Sequence, residues 1–287
     1  MNGSFAQKTD RAFRHSLLLV LGVAGLLTLA FLELYRQLAM FLPALIHQAA
    51  TACGCSAMVP LSTHPYIFIA LGILGGLAGS FIIYALYQLV SLIVRTRKYT
   101  ASHLHLSKAR LSTKLEQIIE QIGIDPDSIV EISNVAPVVF CFGIWQTKIC
   151  VSSGLVKILT ANELQAVLLH EWHHLQTHDP RRLFVLKYFQ STLFFVPGIK
   201  MIVKKYITFS ELAADERATN DFTDRSTLAA AIFKITQSEE KSLVRTSLAL
   251  SFFSSVIAER VNRLSDDQYT PRFKMFDRGF WLGLSSM

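Results

Sequence analysis

The run His170-Glu171-Trp172-His173-His174 has the form H-E-x-x-H. On a helix, His170 and His174 stand one turn apart on one face, so two imidazoles can grip a single metal ion. Glu171 lies beside them, placed to take a proton from a metal-bound water. The motif needs a helix, and the flanking residues predict one. Thr160 and Glu163 form a capping-box start, Leu164, Val167, Leu168 and Leu175 recur at helical spacing, and Asp179-Pro180 ends the pattern. A solvated helix that happens to carry His and Glu is the alternative, and a third ligand decides between the two. Glu211, in Ser210-Glu211-Leu212-Ala213-Ala214-Asp215, is the candidate. Ser210 reads as the N-cap of a second helix, and Glu211 and Asp215 share a face at i, i+4. One carboxylate can bind the metal while the other holds an imidazole through its second ring nitrogen. Taken alone, Glu211 is an ordinary acidic residue of a first turn, which the helix dipole favours. Taken with the motif helix, it completes a His170, His174, Glu211 set for one Zn2+ per chain, with the fourth position open as catalytic sites require.

The motif set extends beyond these two segments. Phe142-Gly143-Ile144-Trp145, Ile149-Cys150-Val151-Ser152-Ser153-Gly154-Leu155, Leu164 through Pro180, and Glu211 to Asp215 occur in one order, with a weaker echo at Glu259-Arg260-Val261-Asn262-Arg263-Leu264. In this the chain resembles the integral-membrane zinc peptidases of the BlaR/MecR antirepressor type and, more distantly, the HtpX-like membrane peptidases. The resemblance runs from about Ser133 to Ala218. It implies a gluzincin-type metallopeptidase in which His170, His174 and Glu211 bind zinc, Glu171 is the base, Asp215 supports a ligand, and Arg260 stabilises the oxyanion. A surface Arg260 paired with the helix of Glu259 is the alternative. The sequence ends at Met287 without the penicillin-binding sensor domain of receptor-type relatives, so no beta-lactam sensing is implied.

These elements sit in a chain made for a membrane. Of 287 residues, 51% are hydrophobic and 17% charged, with mean hydropathy +0.37, too apolar for an average soluble domain. Ser16 to Leu34 is long enough to span a bilayer and reads as a retained helix, not a cleaved signal. Tyr66 to Val94 is a second span, with Gly72, Gly75, Gly76 and Gly79 offering small-residue faces for helix packing. Lys8, Arg11 and Arg14 precede the first span, and Arg95, Arg97, Lys98, Lys108, Arg110 and Lys114 follow the second. The Tyr35–Pro65 interval carries one Arg and no Lys. The positive-inside rule then places both ends in the cytoplasm and that interval outside, as a loop of a multi-pass cell-membrane protein. The net charge of +7 follows from this topology and from contact with anionic lipid. Nothing calls for nucleic acid.

The predicted fold is α+β and mostly helical. Residues 1–98 form a membrane anchor, and residues 99–287 a cytoplasmic zinc peptidase domain with a small sheet. The stretch Leu183 to Val203 is apolar, yet one crossing would put Glu211 across the membrane from His174, and two need about forty residues. A re-entrant or interfacial hairpin is therefore expected. Leu104, Leu111, Leu115, Ile118, Ile119 and Ile122 predict an amphipathic helix. Ile129 to Ile132, Val138 to Phe142 and Lys148 to Ser152 predict strands, the last two joined by a turn at Gly143. Val138, Val139, Phe140, Cys141 and Phe142 are the candidate edge that pairs with substrate backbone, an internal hairpin strand being the other reading. Leu248 to Ile257 predicts a buried helix.

His173 turns about 100° from the ligand face. His178 is either a spare ligand or a C-terminal cap, and Asp179 is read as orienting a neighbouring group. Cys53 and Cys55 fall in the external loop, where Cys-Gly-Cys closes a strained ring. Cys141 and Cys150 are expected reduced and buried. The activity implied is hydrolysis of peptide bonds by Glu-assisted attack of zinc-bound water, in site-specific regulatory proteolysis of a protein or peptide. A quality-control protease of the HtpX kind and a non-catalytic membrane receptor or scaffold are the other readings. Membrane lipid is an expected partner, and homodimer formation is left open.

Overall fold

Apolar content alone predicts long helices at the N-terminal end, and the structure, a computed structural model, has two: α1, Phe5–Ala52, and α2, Pro65–Leu104. It describes residues 5–52, 65–104, 111–196, 198–220, 224–241, 248–271 and 273. Each helix contains a segment long and apolar enough to cross a membrane, within Phe5–Gln37 and Gly72–Lys98. Leu18, Leu21, Leu29, Ile73, Leu77 and Ile83 are exposed along them, the surface expected of helices solvated by lipid. Two expectations change here. The interval from Tyr35 is not a loop, because α1 runs on through Ala52. The glycines at 72, 75, 76 and 79 face no described atom within 4 Å of an added Cβ, so no described residue packs on them. Cys53, Cys55, Lys108 and Arg110 lie outside the described residues.

The chain divides into two compact units, Leu17–Val90, and Met1–Ser16 together with Ser91–Met287. In the second unit, α3 (Thr113–Ile122) is amphipathic and ends at Gly123 in the left-handed region, φ 68°. The helix predicted from Leu104 is thus two elements, since Leu104 closes α2. Strands β1 (Ile129–Ile132), β2 (Val139–Phe142) and β3 (Lys148–Ser152) follow. The sheet order is β1-β3-β2, with β1 parallel and β2 antiparallel to β3. Among the described residues β2 is an edge strand of this sheet, not an internal one.

Two glycines shape this sheet. Gly143 turns the β2–β3 hairpin at φ 94°, where an added Cβ would meet Gln146 O at 2.1 Å. Gly154 lets the β3 exit approach the loop before β2, its N–H donating to Asn134 O at 2.8 Å. Helix α4 (Ser153–Ile158) is capped by Ser152, whose Oγ accepts from Leu155 N. Its neighbour α5 (Ala161–Gln176) starts with the predicted reciprocal Thr160–Glu163 capping box. Leu115, Ile119, Ile149, Val151, Leu155, Leu164 and Leu168 make one core that clamps α5 between α3 and the sheet.

The motif helix stops at Gln176, three residues before the expected breaker. His178 takes up left-handed φ 54°, and Pro180 opens α6 (Asp179–Thr192), where a missing N–H costs nothing. Turn residues 193–196 and Gly198 precede α7 (Ile199–Asn220). Ser210 is therefore mid-helix and not an N-cap. Helices α8 (Arg225–Lys241) and α9 (Leu248–Ser265) complete the unit. The expected buried helix over Leu248 to Ile257 is the first half of α9, with Val256 buried. A second core joins Leu186 of α6, Val203, Tyr206, Phe209 and Leu212 of α7 and Val256 of α9 to Phe5 and Ala12 of the first turns of α1.

Candidate metal centre

Helix α5 presents His170 and His174, and α7 brings Glu211 opposite them. All three are buried. His170 Nε2 and His174 Nε2 lie 3.2 Å apart, and Glu211 oxygens lie 3.4 Å from the first and 3.7 Å from the second. In a tetrahedral zinc site with bonds of about 2.05 Å, neighbouring donor atoms are about 3.3 Å apart. The remaining ring nitrogens point outward, each to its own carboxylate. His170 Nδ1 is 2.8 Å from Asp215 Oδ1, and His174 Nδ1 is 2.7 Å from Asp179 Oδ2. Both rings are thereby oriented with Nε2 toward one point, as metal-ligating histidines are. Glu211 Oε2 is buried without a well-aligned hydrogen bond, 3.4 Å from His170 Nε2 and 3.1 Å from Arg260 Nη1, while Oε1 faces His174 Nε2 at 3.7 Å; a carboxylate set so against both imidazoles fits a cation ligand.

Charge is balanced around this point. Arg260, on α9, is only 4% exposed. Its Nε and Nη2 donate to the two oxygens of Asp215 at 2.8 and 2.6 Å, and its Nη1 stands 3.1 Å from Glu211 Oε2. The surface alternative for Arg260 is overturned by this burial, and the guanidinium contacts the carboxylates of the site and, at 3.4 Å, His170 Nδ1. Burial pushes the Asp215 carboxyl up, but Arg260 and His170 outweigh it and hold it well below the usual range. Burial likewise opposes the Glu211 carboxylate, which His170 and Arg260 nevertheless lower. For His174, burial lowers the pKa, while the Asp179 hydrogen bond and the carboxylates of Glu211, Asp179 and Glu171 raise it to about 9.

Asp179 is itself held on both sides. Tyr206 OH donates to Oδ1 at 2.7 Å, and Ser210 Oγ donates to Oδ2. Tyr206 and Ser210 were not legible as site residues, although their i, i+4 spacing places them on one face of α7. His178 is exposed on its left-handed turn and outside the cluster, so the i, i+4 series from His174 stops. His173 is driven down to about 4 by burial and by His174.

Glu171 is buried at 3%. Its backbone carbonyl accepts from Cys141 Sγ at 3.1 Å, which ties the edge strand β2 to the motif helix. Both described cysteines are free. Burial and the Glu171 charge push the Cys150 thiol up to about 12 and Cys141 well above its ordinary range, so neither is a nucleophile.

A buried His–His–Glu cluster on two helices, able to hold one metal ion, lies beside a small mixed sheet in which β2 is an edge strand among the described residues. Residues 44–264 match the BlaR1 peptidase M56 family model, and the chain belongs to that family. Its two N-terminal helices are long and apolar enough to cross a membrane. Among solved structures, the chain is similar to S. mikatae Ste24p at 15% identity and TM-score 0.42, over 69% of this chain and 64% of that one. The chain thus spans less than two thirds of that structure's length. No curated protein matches it at a significant level.

Proposed function

We propose that this protein is a zinc endopeptidase that cuts a specific protein or peptide at the cytoplasmic face of the cell membrane. The observation that carries the reading is the convergence of His170 Nε2, His174 Nε2 and the Glu211 carboxylate while both Nδ1 atoms are occupied by Asp215 and Asp179. His170, His174 and Glu211 hold the ion, and the imidazole and carboxylate donors suit zinc. Zinc bound there supplies a Lewis acid that polarises the scissile carbonyl and acidifies water. Glu171 takes the proton of the attacking water and returns it to the leaving amine. Asp215 and Asp179 fix the ligand rings, and Arg260 keeps Asp215 and Glu211 ionised and in place, a role its contacts support better than oxyanion binding. Substrate lies extended along β2, adding a strand to the open edge.

Residues 1–98 serve as the anchor and 99–287 as the peptidase domain, with the cytoplasmic orientation supported by the basic residues that flank the two apolar segments. The α6–α7 hairpin supports an interfacial segment: it returns Glu211 to His174 and leaves Phe194 and Phe195 exposed at the turn. Membership of a family named for BlaR1 supports a regulatory over a housekeeping role.

The test is Glu171→Gln beside Glu211→Ala in detergent-purified protein. Glu171→Gln should keep one zinc per chain and lose about 10²–10⁴-fold in cleavage rate, whereas Glu211→Ala should lose the zinc. Full cleavage by Glu171→Gln, or wild type that takes up no zinc, would sink the reading.

A further inference from the structure

The first turns of α1 lie in the same compact unit as the metal centre, though they start the helix that carries the first apolar segment. They are held there by many contacts of different kinds. The Phe13 ring packs on Tyr206 at 5.8 Å between centroids. Arg182, of α6, pairs with Asp10 at 2.7 Å and covers the Phe13 ring at 5.3 Å. Phe5 meets Phe209 at 6.2 Å, lies under Arg263 at 5.0 Å, and donates its N–H to Glu216 at 3.3 Å. Phe5, Thr9, Ala12 and Ser16 are all buried at i, i+4 or i+3 spacing, so one stripe of the helix is committed to α6, α7 and α9.

What this stripe presses on leads to the metal. Tyr206 is 1% exposed, and its ring position sets where its hydroxyl points. That hydroxyl donates to Asp179 Oδ1 at 2.7 Å, and Asp179 Oδ2 meets His174 Nδ1 at 2.7 Å. A carboxylate that fixes a ligand imidazole acts only as well as it is itself fixed. We propose that Tyr206 is a positioning residue of the metal centre, and that the Phe5–Ser16 turns of α1, through Phe13, hold it in position. The strength of metal binding at His174 then depends on the N-terminal segment lying in its groove, far from the ion in sequence. This inference rests on the zinc reading above.

The experiment measures zinc affinity of the full chain in detergent, by competition with a chromophoric chelator, with circular dichroism to confirm the fold. Tyr206→Phe keeps the ring and removes only the hydroxyl; it should weaken zinc binding by about tenfold, the lower end for an outer-shell partner. Phe13→Ala should weaken it several-fold, and Phe13→Leu, which preserves an apolar contact, should restore most of the loss. Leu18→Ala, on the same helix at an exposed position, should leave it unchanged. Zinc-binding wild type with unchanged affinity in folded Tyr206→Phe overturns the proposal. Loss in Tyr206→Phe with none in Phe13→Ala overturns its N-terminal half. Wild type that binds no zinc instead overturns the metal reading on which it rests.

Discussion

Asp179 accepts His174 Nδ1–H at 2.7 Å from the first residue of α6, across the left-handed turn at His178 that separates it from the motif helix. The break in the helix is what makes the contact: the reversal at His178 swings the carboxylate back over the last turn of α5. Asp179→Asn keeps the shape but replaces one acceptor oxygen by a donor, leaving His174 free to choose the wrong tautomer. Zinc affinity should drop about 10–100-fold, read by chelator competition. Unchanged affinity would remove Asp179 from the site.

Arg260 neutralises two buried carboxylates at once. Arg260→Ala leaves Asp215 and Glu211 together without their cation, and the loss of one partner from a buried ion pair costs about 3–5 kcal/mol. Chemical denaturation of the zinc-free protein should show an unfolding free energy lowered by about that amount, with Arg260→Lys recovering part of it. A variant as stable as wild type would mean that the carboxylates are neutralised by other groups.

How far this arrangement was legible depends on separation in sequence. His170, Glu171, His174 and the Thr160–Glu163 box are set by spacing within one helix, and the Glu211–Asp215 face by spacing within another, so periodicity exposes them. The link from Tyr206 to Asp179 joins residues 27 positions apart, and that from Arg260 to Asp215 joins residues 45 apart; both depend on how α6, α7 and α9 pack. Ser210 misled for a related reason. A Ser before Glu at a helix start and a Ser inside a helix have the same local signature, and here its hydroxyl serves Asp179. The three strands were legible from β-branched and aromatic runs, but β2 lies at an edge because of the crossover from β1 to β3, which no local pattern carries.

The acid–base state of His174 makes metal binding depend on pH. The carboxylates around His174 push its pKa up to about 9 against an ordinary 6.5, so zinc must displace a proton below about pH 9. Apparent affinity should climb about tenfold per pH unit toward that value through this group alone. The sign for stability is the reverse. A raised pKa stabilises the zinc-stripped fold fully below about 6.5, and that contribution fades as pH rises through about 9. Zinc titrations and unfolding of the stripped protein from pH 6 to 9.5 should therefore trend in opposite directions. A flat affinity profile would contradict the cage of carboxylates around His174.

The open edge of β2 makes the last prediction specific to single residues. Ser152 N donates to Val138 O at 2.9 Å, which marks Val138 opposite Ser152 as a hydrogen-bonded pair. By the alternation of an antiparallel ladder, Phe140 opposite Cys150 and Phe142 opposite Lys148 are hydrogen-bonded too. Val139 and Cys141 then turn their N–H and C=O away from β3, toward the open edge. Proline removes an N–H donor and is tolerated where that donor faces outward. Val139→Pro should leave zinc content and folding intact and raise KM for a peptide substrate about tenfold, the equivalent of about 1.4 kcal/mol from a lost backbone bond. Phe140→Pro removes a donor to β3 instead and should lower the unfolding midpoint. If both variants fold as wild type and Val139→Pro cleaves with unaltered KM, substrate does not pair with this strand.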